Sequence, residues 1–158
     1  MAAVVVVDSC LAVKWVVEQN HSSEALDLLE NWETQGVRIL APPIFPSEVG
    51  NALLKYVRGD SVMRPEDRLS LQEATALFDA VSGIVNISGD ASLIARAMEL
   101  CLRWHRPSVY DATFVALAER EECDLWTADS KFFHAVHPYV SLLKHIQDHP
   151  RSSGSASL

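Results

Sequence analysis

Four consecutive valines, Val4–Val7, pass without a break into Asp8 and Ser9 and then into an apolar-periodic stretch. An unbroken β-branched run has the composition of a strand buried on both faces, and Asp and Ser are good helix-capping residues. Strand one therefore hands directly into helix one. A strand of this kind belongs in a sheet covered by helices on both sides, and the rest of the chain follows the same grammar.

His21–Gly36 carries Ala25, Leu28, Leu29 and Trp32 at helical spacing, opens on Ser22-Ser23 and closes on Gly36, after which Val37–Leu40 reads as a second short strand. Pro43 and Pro46 precede Val49, Ala52, Leu53 and Tyr56 at spacings of three and four, a helix that ends near Gly59 and holds Glu48 in its first turns. A polar break at 60–64 leads to an amphipathic helix from Pro65 to about Val81, and Val85–Ile87 is a brief strand. Asp90 can cap a helix over Ala91–Arg103. Pro107 interrupts the pattern, which resumes as a helix over Val109–Glu121 with Asp111 at its start. Leu125-Trp126 is a short strand ending at Thr127-Ala128-Asp129, a small helix follows around Phe132–Ala135, and Tyr139–Leu143 is the last strand candidate. Strands alternating with helices predict a parallel sheet with helices on both faces, and ligands in such sheets bind at the carboxyl ends of the strands. The Pro, Ser and Gly content past this point predicts one domain over 1–146 and a flexible tail over 147–158.

Composition narrows the function. The 158 residues are 49% apolar and 22% charged, enough for one domain with a full core. The net charge of −8 excludes a broad basic surface as the main means of binding nucleic acid, so any polyanion must be drawn in locally or through cations. Cys10, Cys101 and Cys123 are odd in number, far apart and form no CxxC pair, which fits a reducing cytoplasm better than a disulfide framework or a thiolate zinc site. The apolar opening is too short to span a bilayer and lacks a positive start, so neither a membrane nor export is expected.

Most of the 21 acids sit on polar helix faces, where solvation explains them. Four do not. Asp8 and Asp129 follow strands, while Glu48 and Asp111 begin helices flanking the same sheet edge. Crowded carboxylates raise one another's pKa, and divalent cations remove that penalty. Oxygen-only ligands favour Mg²⁺ or Mn²⁺ over zinc. The alternative is that these acids cap helices and never converge. His134 and His137, or His145 and His149, lack two further ligands and read as ordinary surface histidines. The four tryptophans, among apolar residues, read as core or interface. Arg38, Lys55, Arg58, Arg64 and Arg68 gather around the third and fourth helices, where they could flank an RNA groove or be scattered solvated cations.

Four segments taken together resemble a known family: Val5 to Trp15 around Asp8, Pro46 to Leu53 around Glu48, Tyr110 to Ala118 around Asp111, and Leu125 to Asp129. In order and spacing they resemble the four motifs of PIN-domain ribonucleases, and more narrowly the VapC-type toxins of prokaryotic toxin–antitoxin pairs, over residues 3 to 146. The resemblance implies a three-layer α/β/α sandwich with a central parallel sheet, and a pocket in which Asp8, Glu48, Asp111 and Asp129 hold one or two Mg²⁺ or Mn²⁺ ions for endonucleolytic RNA hydrolysis. Asp8 and Asp111 are then the principal ligands, with Glu48 and Asp129 as second ligands or water-mediated positioners, and Thr127 resembles the family's ordering hydroxyl. Ser9 reads equally as a helix cap or a supporting hydroxyl, and Asn51, three residues after Glu48, as a supporting amide or a plain surface one. Two divalent ions would bring −8 to −4, focused where phosphate must approach.

The resemblance further implies a homodimer, with Leu53, Leu69, Leu71 and Leu77 as candidate contacts, and a cognate antitoxin that lays a segment over the groove. An RNA-processing PIN nuclease without an antitoxin is the nearest alternative. An aspartyl-nucleophile phosphatase would need a second acid at position 10, which is Cys10. A receiver-like, Mg²⁺-binding signalling module would need adjacent acids near strand one, where Asp8 stands alone.

Overall fold

The computed structural model describes residues 2–60, 63–106 and 108–150. The valine run forms β1 (Val4–Val7) and passes into the short helix α1 (Ser9–Val13). There follow α2 (Ser22–Thr34), β2 (Arg38–Ala41), α3 (Phe45–Arg58), α4 (Leu71–Ile84), β3 (Asn86–Ile87), α5 (Ser92–Trp104), α6 (Val109–Arg120), β4 (Leu125–Thr127), α7 (Ser130–Val136) and β5 (Leu143–His145). The five strands make one sheet in the order β3-β2-β1-β4-β5, every neighbouring pair parallel. This is the expected three-layer α/β/α sandwich.

β1 lies at the centre because its residues can be buried on both sides. Val6 and Val7 are fully buried, Val5 stands opposite Ile39 of β2 and Val6 opposite Leu125 of β4. Helices α5 and α6 pack on each other and α6 packs on β1 and β4, carrying Phe114, Val115 and Leu117 into the core. Burial of side chains this size contributes roughly 1.5–3 kcal/mol each. With all strands parallel, the carboxyl ends of β1 and β4 open on the same edge of the sheet, as do those of β2 and β3.

Three expectations shift. The fourth helix begins at Leu71, not Pro65. Pro65–Asp67 closes only a single 3-10 turn, and the helix starts where Ser70 accepts a hydrogen bond from the Glu73 amide (3.1 Å) while the Glu73 carboxylate accepts from the Ser70 amide (2.7 Å). That reciprocal capping box satisfies two orphan donors, which a proline entry cannot do. The helix also runs on to Ile84.

The last strand is Leu143–His145, whereas Tyr139 and Val140 lie in the preceding turn, Tyr139 largely exposed. Pairing with β4 selects this register, Leu125 opposite Leu143 and Thr127 opposite His145. His145 is accordingly buried rather than on the surface, its ring within 3.2 Å of Ser130 Oγ and its Nδ1 accepting from the Gln147 amide. Trp15, Trp32 and Trp104 are core residues, and Trp126 meets Trp32 edge-on at 6.2 Å.

Pro107, read as the break before α6, lies outside the described residues, as do 151–158 of the expected tail. Ile146–Asp148 forms a 3-10 turn, and His149 reaches the ring of Trp126 and the amide of Asn31. Among the described residues no helix is long and apolar enough to cross a membrane.

Candidate active site

Asp8 is the residue after the last valine of β1, and its amide donates to the Trp126 carbonyl of β4 (3.0 Å). The sheet thus fixes its backbone, and the side chain is 6% exposed. It does not cap α1 through its carboxylate. Instead Thr127 Oγ1 donates to Asp8 Oδ2 (2.9 Å) and accepts from the Asp129 amide (3.0 Å). One fully buried hydroxyl therefore joins the carboxyl ends of the two central strands. Asp129 caps α7, its Oδ1 accepting from the Phe132 amide (3.0 Å).

Ser9 is the first residue of α1, and its hydroxyl reaches Glu48 Oε2 at 2.8 Å, with Asp8 Oδ1 farther away at 3.3 Å. A single hydroxyl proton goes to the nearer acceptor, so Ser9 ties α1 to the first turn of α3 and is not acting as a cap. Asp111 stands in the first turn of α6, where the positive end of the helix dipole favours a carboxylate. Its Oδ2 lies 3.5 Å from Arg106 Nη2.

Burial raises the pKa of Asp8, Glu48 and Asp111, and each is raised further by neighbouring carboxylates. Glu48 is pushed up to about 7, by desolvation first and then by Asp8 and Asp111, against the lowering bond from Ser9. Asp111 is opposed by Asp8 and Asp129 and relieved in part by Arg106. The four acids that follow β1 and β4 or open α3 and α6 thus act on one another's charge. Cys10 belongs to the same wall, its Sγ 3.5 Å from Thr127 Oγ1. Burial and the Asp8 charge push its thiol well above the ordinary range, so it stays a neutral donor rather than a thiolate ligand.

Asn51 is exposed on α3 and makes no side-chain hydrogen bond among the described residues, so the supporting-amide reading finds no partner there. The cationic cluster also disperses. Arg38 begins β2, at the amino edge of the sheet opposite the acids. Arg64 is taken up by Asp67 at 2.8 and 3.0 Å, and Arg68 by the Val57 carbonyl. Arg106 was not singled out from the sequence, since it lies past the end of α5 after His105 in the left-handed region. Its place five residues before Asp111 was the only signal.

A divalent cation fits the donor chemistry here, with carboxylate oxygens, two nearby hydroxyls and negative charge that one arginine does not offset. Among the described residues no three His, Cys, Asp or Glu side chains already stand in a geometry that could hold a metal ion.

A parallel sheet ordered 3-2-1-4-5 with acids gathered at its carboxyl edge defines an α/β/α protein with an acidic edge site. The family model for the PIN domain matches residues 5–137, most of the chain, and the protein belongs to that family, whose members are generally nucleases. Its fold is similar to that of PAE2754 from Pyrobaculum aerophilum, at 19% identity and a TM-score of 0.63 over 93% of each chain. It is also similar to a chain of VapBC2 from Rickettsia felis, solved bound to a DNA fragment from its promoter, at 14% identity and a TM-score of 0.62 over 90% of this chain and 98% of that one. No curated protein matches the chain.

Proposed function

We propose that the protein is an Mg²⁺- or Mn²⁺-dependent endoribonuclease and the toxin of a toxin–antitoxin pair, working in the cytoplasm. The observation that carries this reading is the set of four carboxylates, Asp8, Glu48, Asp111 and Asp129, placed by β1, β4 and the starts of α3 and α6 so that each is in the field of others. Membership of a nuclease family supports hydrolysis of a phosphodiester, and the likeness to a VapBC2 chain supports the toxin assignment. Three free cysteines agree with a reducing compartment.

In this reading Asp8 and Asp111 are the principal metal ligands, with Glu48 and Asp129 completing the set directly or through water. A bound cation would lower the pKa of water and polarise the phosphate. The protein's own contribution is positioning. Thr127 holds Asp8 and the Asp129 backbone in register, and Ser9 aims Glu48 inward. Arg106, 3.5 Å from Asp111 Oδ2, offsets part of the charge of that carboxylate and would stand as a cation beside a phosphate at this edge. The protein pairs as a homodimer through the α3–α4 face, where Leu71 is 69% exposed, and a cognate antitoxin covers the acidic edge.

The test is incubation of the purified protein, freed of any partner, with a panel of structured RNAs in Mg²⁺, Mn²⁺ or EDTA. Cutting in either metal that stops in EDTA is the expected result. Intact RNA under every condition, from folded protein, would refute the reading.

A further inference from the structure

Beside the acids lies a cavity of about 330 Å³ lined by Cys10, Lys14, Gln19, Lys55, Tyr56 and Ala128 among others. Cys10 is two residues past Asp8 and Ala128 directly precedes Asp129, so the cavity opens against the proposed catalytic edge. Its polar groups are ordered in one direction. Lys14 Nζ donates to Gln19 Oε1 (3.2 Å) and to the Asn20 carbonyl (2.7 Å). An ammonium has no acceptor to offer, so the Gln19 oxygen must face it, which turns Nε2 toward Tyr56 to donate to the phenol oxygen (2.7 Å). The Tyr56 hydroxyl proton is then left without an acceptor among the described residues, on the cavity lining. Lys55 adds a second cation, and among the described residues Asp60 is the one acid on that lining. A chain of net charge −8 thus places two lysines next to its acidic cluster.

Resting on the nuclease reading, we propose that this cavity is a subsite for one unpaired ribonucleotide next to the scissile phosphodiester, with Lys14 and Lys55 on its phosphates and the Tyr56 hydroxyl donating to an acceptor on its base or ribose. The volume is at the small end of ligand sites, room for one nucleoside and too little for a duplex. Single-stranded RNA is read by splaying out such nucleotides, and lysines beside the backbone supply its affinity. The substrate class is therefore RNA with an unstacked residue at the cut.

The test uses the full chain and a ten-nucleotide unstructured RNA in Mg²⁺. Tyr56→Phe, which deletes one oxygen, is expected to raise KM three- to tenfold with kcat changed less than twofold, the effect of losing one neutral hydrogen bond. Lysine acylation read by mass spectrometry gives an account independent of turnover. The RNA should slow modification of Lys14 and Lys55 at least threefold and leave Lys144 unchanged, and the same sequence annealed as a duplex should not protect. If the native protein cuts RNA while Tyr56→Phe is kinetically silent and neither lysine is protected, the subsite is refuted and the nuclease reading stands. If the native protein cuts the structured RNAs but neither cuts nor binds this one, the subsite is refuted and the nuclease reading stands; if it cuts none of them in either metal, both fall. Protection of the two lysines by an antitoxin peptide but not by RNA would assign the cavity to a protein partner and overturn the proposal.

Discussion

Thr127 carries more of the site than its size suggests. It is fully buried, donates to Asp8 and accepts from the Asp129 amide, so replacing it leaves two polar groups short of a partner at once. Thr127→Val keeps the shape and removes both bonds. It is expected to lower stability by about 1–3 kcal/mol, read from denaturant midpoints, and to reduce cleavage in the proposed assay. Glu48 gives the pH prediction. Its carboxyl is held at about 7 in the fold against an ordinary 4.5, so the folded state binds its proton more tightly than the unfolded chain does. The metal-free protein should therefore be most stable below about pH 4.5 as far as Glu48 is concerned, and lose that contribution as pH rises toward 7. The loss is about 1–2 kcal/mol, allowing for the side chain's partial exposure. Thermal melts from pH 5 to 8 check it, and Glu48→Gln should flatten the slope. Unchanged slopes in that variant would mean that other groups set the pH response.

Among the elements, the strand that leads into Asp8 was legible because an unbroken β-branched run suits a strand buried on both faces, and Asp129 because the apolar pair Leu125-Trp126 likewise runs into it. Glu48 and Asp111 were legible as helix starts. Less could be read where the deciding partner is distant. Ser9 looks like a cap in sequence, yet its hydroxyl is claimed by Glu48, 39 residues away. The start of α4 turned on a choice between Pro65 and the Ser70–Glu73 box, and β5 on its register with β4, which hydrophobicity alone placed four residues early. The capping box has a measurable consequence. Ser70→Ala should destabilise the protein by about 1 kcal/mol without affecting the acidic edge, since among the described residues α4 packs chiefly on α3 and supplies none of the four acids. Urea unfolding of the two proteins provides the check, and an equal loss of activity would show that α4 is coupled to the site.

Across the whole molecule, an acidic protein gathers Asp8, Glu48, Asp111 and Asp129 at one edge, against a core that is mostly apolar and whose few other buried polar groups, such as Ser22, Thr113 and His145, are hydrogen-bonded. Among the described residues no buried side-chain nitrogen or oxygen lacks a hydrogen bond. The strain that remains is electrostatic, and cations should relieve it. Magnesium at a hundredfold over its Kd is expected to raise stability by roughly 3 kcal/mol and Tm by roughly 5–10 °C, a shift that EDTA reverses. The fold and the edge on which the acids lie could be argued from residue order alone, whereas Arg106 and the Lys14–Gln19–Tyr56 relay could not, because both depend on where loops return in space.

On the proposed reading Asp8, Glu48, Asp111 and Asp129 together bind a divalent metal. Its most direct measurement is a titration of Mn²⁺ followed by electron paramagnetic resonance, on the native protein and on Asp8→Asn and Asp111→Asn, each of which removes one ligand charge at nearly constant size. The expected result is saturable binding of one or two ions by the native chain and at least tenfold weaker binding in each variant, with both variants still folded. Equal binding in all three, or none in the native protein, would contradict it.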